Sequence, residues 1–161
     1  MNLENYLHNE LMSENRAKLL ALEKTGKYVF HGTTENINIL EPRQAYNDNR
    51  KTNKRERDGE PAVFATPYAD VAIFRSLINP INVKGNSSSQ FGMSKKGLLF
   101  SATENLINQA EKKIGKVYVL DKTKFKQFKG MQCRSEETMI PLEVIEVTTK
   151  DLPKNIKTIN V

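Results

Sequence analysis

The feature that most constrains this chain is an apolar run that ends at a histidine–glycine pair. Residues 27–31 carry Tyr, Val and Phe, which favour the pleated geometry of a β-strand, and His31, Gly32 and Thr33 stand where that strand should end. Because glycine has no side chain, the peptide after His31 is left uncovered, and its N–H and C=O groups are open to a flat ligand. The pattern predicts a strand that delivers a histidine and a bare peptide to one place.

The rest of the pattern predicts an α+β fold. Apolar residues at helical spacing predict an N-terminal helical region over 1–26, with helix from 2 to about 24, Ser13 as a second N-cap and Gly26 as the C-cap. A mixed, mainly antiparallel split β-sheet with short helices near 67–77 and 104–113 is expected to follow. Further strands are expected at 62–66, 98–101, 117–120, 125–128, 139–147 and 156–161. The polar stretches 44–61 and 84–97 have no periodic apolar face and are interpreted as loops, the first as a lid or binding loop.

Length and charge bound the class of protein. The chain has 161 residues, which fits a single domain with its core in 27–161. Its net charge of +6 attracts nucleic acid, nucleotides or acidic protein surfaces without choosing among them. Cys133 is the only cysteine, so no internal disulfide forms. Since no apolar stretch approaches the ~20 residues that span a bilayer and no leader is apparent, we expect a soluble, cytoplasmic protein without membrane contact.

Several common kinds of site are disfavoured. The two histidines, His8 and His31, and the lone Cys133 are too few and too scattered for a zinc centre, and no carboxylate cage is apparent for magnesium, so we predict no metal. The glycine patterns of phosphate-binding loops do not occur. Cys133 beside Arg134 is a conceivable thiol nucleophile, although a small structural residue on a strand is the favoured interpretation.

Two other segments carry groups of chemical interest. Glu136 and Glu137 precede Thr-Met-Ile-Pro-Leu, and because neighbouring strand residues point to opposite faces, one carboxylate is expected to face a cleft. A solvated strand start is the simpler alternative. Small and aromatic side chains that together suit a planar ring, or else ordinary core packing, are found at Phe64, Ala65, Thr66 and Tyr68.

The order of these segments resembles that of the ADP-ribosyltransferase superfamily, which includes the poly(ADP-ribose) polymerase-like catalytic domains. His31-Gly32-Thr33 matches its first motif, the strand at 63–66 with the Ala-containing helix after it matches the second, and Glu137 before an apolar strand matches the third. The match covers 27–147 through short motifs. Two positions depart from the pattern: Val63 stands where one branch has a ring-stacking tyrosine, and Ser135 where some branches have Glu or Gln.

The resemblance implies an enzyme that cleaves the nicotinamide–ribose bond of NAD and transfers ADP-ribose to a macromolecular acceptor. It implies that His31 contacts a ribose hydroxyl and that the Gly32 peptide holds the nicotinamide carboxamide. Glu137 then supports the oxocarbenium-like state, which makes Glu137 and His31 the predicted catalytic residues. Phe64 or Tyr68 is the predicted stacking aromatic. The full predicted NAD-binding set is His31, Gly32, Thr33, Arg43, Phe64, Ala65, Thr66 and Tyr68.

Other interpretations stay open. Arg43 suits the pyrophosphate because its planar fork fits phosphate oxygens, but a surface ion pair with Glu41 or a neighbour is the alternative. The basic residues at 50–57 suit a nucleic-acid acceptor or form only a solvated lid. Val63 and Ser135 favour a noncatalytic module that binds nucleotide, ADP-ribose or RNA. An RNA 2′-phosphotransferase-like enzyme, which also uses NAD, and a plain basic nucleic-acid-binding domain complete the alternatives.

Overall fold

Short helices and strands alternate irregularly along the chain, as the α+β prediction requires. The computed structural model describes residues 13–49 and 51–160. The helices in this part of the chain are α1 (Glu14–Lys24), α2 (Ala69–Leu77) and α3 (Glu104–Ala110). The strands there are β1 (Tyr28–Thr33), β2 (Tyr46–Asn49), β3 (Lys54–Arg57), β4 (Val63–Ala65), β5 (Ser89–Ser94), β6 (Gly97–Thr103), β7 (Gly115–Asp121), β8 (Lys126–Gln127), β9 (Cys133–Ser135), β10 (Glu143–Val147) and β11 (Ile156–Ile159).

A three-stranded antiparallel sheet, in the order β1-β7-β10, carries the histidine–glycine pair. Its register places His31 opposite Tyr118 and Gly32 opposite Val117. Because side chains alternate across a strand, the sheet buries both faces in two separate clusters. One face, which includes Phe30, packs against α2, and the other, which includes Val29, packs against β4 and β9.

The apolar helix α2 lies across β1 and β7 and buries most of its length. Its first turn has no cap from the side chain of Tyr68, and the Glu23 carboxylate of α1 accepts a hydrogen bond from Ala69 N at 2.6 Å instead. Arg16 of α1 donates two hydrogen bonds of 2.9 Å to the Asp70 carboxylate. Helix α1 is therefore fastened to the start of α2 by two carboxylates.

A second antiparallel sheet, in the order β4-β9-β8, meets the first at a single bridge. Phe30 N donates to Thr66 O at 2.8 Å, and Thr66 N donates to Phe30 O at 2.9 Å. Strand β4 ends at Ala65, immediately before Thr66, and pairs with β9, with Phe64 opposite Arg134. The two sheets are thus joined at Phe30 and Thr66 and diverge on either side of them.

The two polar stretches interpreted as loops contain strands, so that interpretation was wrong. Strands β2 and β3 pair with each other as a hairpin, and residues 89–94 form β5, which pairs with β6. The strand β11 adds to β6 in parallel, which makes that sheet mixed. The strand expected over 139–147 begins only at Glu143, and β9 was not predicted.

The helical lead-in is seen in part. Helix α1 begins after Ser13, whose side chain accepts a hydrogen bond from Arg16 N, and Gly26 follows the helix with a φ of 69°. The prediction of Ser13 as an N-cap is therefore confirmed, whereas the C-cap is Thr25 and Gly26 follows it in the left-handed conformation. The predicted helix over 2–12 lies outside the described residues. None of the described helices is long and apolar enough to cross a membrane.

Candidate functional site

The candidate site lies where β1 and β4 diverge. On the edge of β1 that faces β4, the N–H and C=O groups of Gly32 have no strand partner among the described residues. The N–H and C=O groups of Phe30 point toward β4, and along a strand these groups alternate between the two edges, so those of Gly32 point the same way. A ladder continued past the bridge at Phe30 and Thr66 would place Gly32 opposite Phe64. Phe64 O accepts instead from the His31 ring, with Nδ1 2.6 Å away. The peptide groups of Gly32 therefore face a gap between the strands.

The same hydrogen bond fixes the chemical state of His31. A carbonyl oxygen only accepts, so Nδ1 carries the proton and Nε2 is left as an acceptor. Burial lowers the pKa of His31, the bond to Phe64 O opposes this, and the charges of Arg75 and Arg43 lower it further, while Glu35 opposes them. The imidazole is neutral at neutral pH and is ready to accept a hydrogen bond from a hydroxyl.

Two cavities meet at His31 and Phe64. The inner cleft has a volume of about 60 Å³ and is lined by Phe30, His31, Gly32, Phe64, Ala65, Thr66, Ala72, Arg75 and Gln132. The outer cleft has about 130 Å³ and is lined by His31, Ile37, Ile39, Leu40, Glu41, Arg43, Ala62, Val63 and Phe64. Each is smaller than the ~300–1,000 Å³ of pockets that enclose drug-sized ligands. A dinucleotide would have to extend along both clefts, with its remainder on the surface.

The close approach of α2 closes the floor of the inner cleft. A Cβ atom added to Gly32 would lie 1.9 Å from the carbonyl oxygen of Ala72. Only glycine lets the helix approach β1 to this distance, which explains the residue type at this position. Thr33 has a local role, because its hydroxyl accepts a hydrogen bond of 3.2 Å from Glu35 N.

The predicted aromatic candidates are separated by the structure. Phe64 lines both clefts, and its ring lies 5.5 Å from the guanidinium of Arg134. Tyr68 lines a different cavity of about 250 Å³, together with Cys133. Thr66 is buried and its hydroxyl accepts from Tyr68 N at 3.2 Å. Phe64 is thus the one of the two aromatics that borders the His31 clefts.

The two glutamates lie in a third cavity, here called the Glu137 hollow. It has about 380 Å³ and is lined by Lys124, Lys126, Gln127, Arg134, Ser135, Glu136 and Glu137. Both Glu136 and Glu137 are exposed, so the expectation that only one would face a cleft was wrong. They follow β9 and precede β10 by several residues, which removes the strand alternation on which that expectation depended.

The structure therefore brings together most, but not all, of the predicted site. His31, Gly32, Phe64, Ala65 and Thr66 line the inner cleft, and Arg43 lines the outer one. Glu137 lines neither of these clefts. The connection between the two places is Arg134, whose guanidinium lies over Phe64 and also lines the Glu137 hollow.

Two arginines near the site were not predicted. Arg75 is the one charged residue in the second half of α2, which is the signal that could have identified it. Arg134 packs against Phe64 and Phe128 and donates to the Glu60 carbonyl. Its position opposite Phe64 depends on β9, which is too short to be read from the pattern.

The surroundings of Arg43 and Cys133 bear on the alternatives for these two residues. Arg43 forms an exposed ion pair of 3.4 Å with Glu35, rather than with Glu41, and also borders the outer cleft. Burial raises the pKa of Cys133 to about 11, and the nearby Lys122 opposes this only in part. Such a thiol is protonated at neutral pH, which supports the structural interpretation of Cys133. In the described ranges no group of three or more His, Cys, Asp and Glu side chains is placed to hold a metal ion.

Comparison with known proteins found no matching family model, no matching curated protein and no matching solved structure.

Proposed function

We propose that the chain is an NAD-dependent ADP-ribosyltransferase that cleaves the nicotinamide–ribose bond and transfers ADP-ribose to a macromolecular acceptor. The observation that carries this proposal is the gap between β1 and β4, where the peptide groups of Gly32 lie beside a neutral His31 and the Phe64 ring. A carboxamide needs one donor and one acceptor in this arrangement, and an aromatic face suits its ring. In this proposal the two sheets joined at Phe30 and Thr66 correspond to the split sheet of that superfamily.

The side chains have separate roles in the proposed reaction. His31 Nε2 accepts a hydrogen bond from a ribose hydroxyl, and the Gly32 peptide holds the carboxamide. Phe64 stacks on the nicotinamide ring, and Arg43 and Arg75, one in each cleft beside His31, bind the pyrophosphate. The positive charge that develops on the ribose as the bond breaks requires a carboxylate near the sugar.

We assign that carboxylate to Glu137. The assignment is supported by its place two residues after β9, which pairs with the strand of Phe64, and by Arg134, which borders both the Phe64 ring and the Glu137 hollow.

The test is the release of nicotinamide from NAD, measured by chromatography, for wild type, Glu137→Gln and Glu136→Gln. The two variants lose the same charge from the same hollow, so they differ only in the assigned role. We expect Glu137→Gln to lower the rate by about 10²–10³-fold and Glu136→Gln to leave it nearly unchanged, since loss of a transition-state charge partner has this size. Equal rates in all three proteins would contradict the assignment of Glu137.

The binding roles are tested separately by calorimetric titration with NAD. His31→Ala should weaken binding, whereas Glu137→Gln should largely spare it. If wild-type protein binds NAD without releasing nicotinamide, the noncatalytic module is the correct description.

One observation favours a second function of the same fold. Arg43 and Arg75 both act on the charge state of His31, so a phosphate group beside this histidine would have two basic partners. This arrangement suits an RNA 2′-phosphotransferase-like enzyme, which also consumes NAD. Incubation with NAD and an RNA that carries an internal 2′-phosphate separates the two functions, because only this second enzyme removes the phosphate.

A further inference from the structure

The hairpin of β2 and β3, residues 46–57, is here called the basic ribbon. By sequence it carries five basic residues, at 50, 51, 54, 55 and 57, against acidic residues at 48 and 56. The side chains of Tyr46 and of residues 51–57 are exposed. The two strands pair only with each other, with Tyr46 opposite Arg57 and Asn49 opposite Lys54. The ribbon thus presents positive charge without an apolar face.

The base of the ribbon is fastened to the domain. Arg43 and Ala62 exchange backbone hydrogen bonds of 3.1 and 3.0 Å, and Asp58 N donates to Ala45 O at 2.8 Å. The Gln44 side chain also donates to Gly59 O at 2.8 Å. Because two-stranded hairpins are marginally stable in water by themselves, these contacts hold the ribbon in position from below.

The chemistry of the ribbon suits nucleic acid better than a protein partner. Arg55 and Arg57 lie on the same face as Tyr46, and the guanidinium of Arg55 lies 4.6 Å from the centre of the Tyr46 ring. A guanidinium group can bind a phosphate through two parallel hydrogen bonds, and an aromatic ring can stack on a base. A protein interface is built around a buried cluster of apolar or aromatic side chains, whereas by sequence Tyr46 is the one such residue in 46–57.

The dimensions also fit a duplex. A two-stranded β-ribbon is one of the elements that the major groove of B-DNA, about 12 Å wide, admits. From these observations we propose that the basic ribbon is a DNA-binding arm, which grips the phosphate backbone of a duplex with Lys54, Arg55 and Arg57.

The arm lies beside the candidate site at its base. Arg43 belongs both to the backbone bridge below the ribbon and to the outer cleft next to His31. On the other side, Lys129 forms an ion pair of 3.5 Å with Asp58, and Lys124 and Lys126 border the Glu137 hollow. DNA held by the ribbon would therefore lie against both places. The inference deepens the proposed function by naming DNA as the acceptor, although binding itself requires no NAD.

The experiment measures binding of a fluorescently labelled DNA duplex by anisotropy, without NAD, over a range of salt concentrations. The test variant is Lys54→Gln/Arg55→Gln/Arg57→Gln. The matched control is Lys84→Gln/Lys95→Gln/Lys96→Gln, which removes three exposed positive charges from the region around the β5–β6 hairpin. We expect both variants to remain folded, since none of the six side chains is buried, and circular dichroism melting checks this.

Counterion release sets the expected size of the effect. The logarithm of the binding constant falls by about 0.9 per neutralised phosphate for each tenfold rise in salt, so three lost contacts reduce the salt slope by about 3. We expect the ribbon variant to bind at least about tenfold more weakly near 0.1 M salt, and the control variant to stay within about threefold of wild type.

Each outcome decides the proposal. A loss confined to the ribbon variant supports it. Equal losses in the two variants would show that net charge alone attracts DNA, and absence of wild-type binding to duplex would also overturn the proposal. Tighter binding to single-stranded DNA or to RNA of the same sequence would contradict the proposal that the ribbon binds duplex DNA. Nicotinamide release, measured without DNA, reports the proposed transferase activity independently.

Discussion

The substitution Gly32→Ala tests whether helix α2 packs directly against the backbone of β1 at Gly32. The added Cβ would lie 1.9 Å from Ala72 O and 2.8 Å from Ala72 C, and both are backbone atoms that cannot rotate away. Because Cβ atoms essentially never approach such atoms closer than 3.0 Å, strand and helix must separate by about 1.1 Å, the difference between 1.9 and 3.0 Å. That movement loosens the contacts of the buried apolar residues of α2 with the central sheet.

The magnitude follows from the cost of overpacking. An extra methyl group in a well-packed core costs about 1–3 kcal/mol, and a contact with helix backbone belongs at the upper end. In a domain of this length each kcal/mol lowers Tm by about 2–4 °C, so a loss near 3 kcal/mol corresponds to a fall of about 6–12 °C. Where space exists, the same substitution instead stabilises by about 0.4–1 kcal/mol, since alanine restricts the unfolded chain.

Gly92→Ala is the matched control. Gly92 lies inside β5, and a Cβ added there meets no atom within 4 Å. Scanning calorimetry should show a large fall in Tm for Gly32→Ala and none for Gly92→Ala. If both variants melt at the wild-type temperature, α2 does not approach β1 as closely as described, and the account of the inner cleft is wrong.

Two further predictions concern groups whose pKa values are shifted. His31 should titrate below 6.5 in an NMR experiment; since the unfolded chain then takes up protons first, the free energy of unfolding is highest above pH 6.5 and falls as the pH decreases below it. A midpoint at or above 6.5 would contradict the burial of the His31 ring, which is the main cause of the lowered pKa. Cys133 should react with a thiol reagent about 100-fold more slowly in the folded than in the unfolded protein below pH 9, because its pKa is about 11 in place of 9.0. Equal reaction rates would show that the thiol is not buried as described.

The strands and helix around His31 could be predicted because their pattern is strong. Apolar residues at 28–30 and 62–65 and an amphipathic helix starting near Asp70 define β1, β4 and α2 in any context. These three elements bring together His31, Gly32 and Phe64, which explains why these three residues of the inner cleft could be predicted, whereas Arg75 and Gln132 were not.

The ribbon and β9 could not be predicted, for different reasons. Strands β2 and β3 pair through a backbone ladder, and by sequence Tyr46 is their one apolar or aromatic residue, so no apolar alternation marks them. A local signal was present at Asn53, which adopts a φ of 57° at the turn, a conformation that asparagine tolerates better than most residues. Strand β9 has only three residues, and its pairing opposite Phe64 depends on tertiary structure that the local sequence does not indicate. The position of Glu137 depends on that pairing, which is why the acid was assigned to the wrong kind of segment.

The hydrogen bond between the His31 ring and Phe64 O has a consequence for ligand binding. The ring bonds to the Phe64 carbonyl oxygen that the next hydrogen bond of a β1–β4 ladder would use. A ligand that forms hydrogen bonds with the Gly32 peptide and contacts β4 would bridge the two strands at this point and stabilise the junction of the two sheets. Occupancy would then be visible far from the ligand itself, as slower amide hydrogen exchange along both strands.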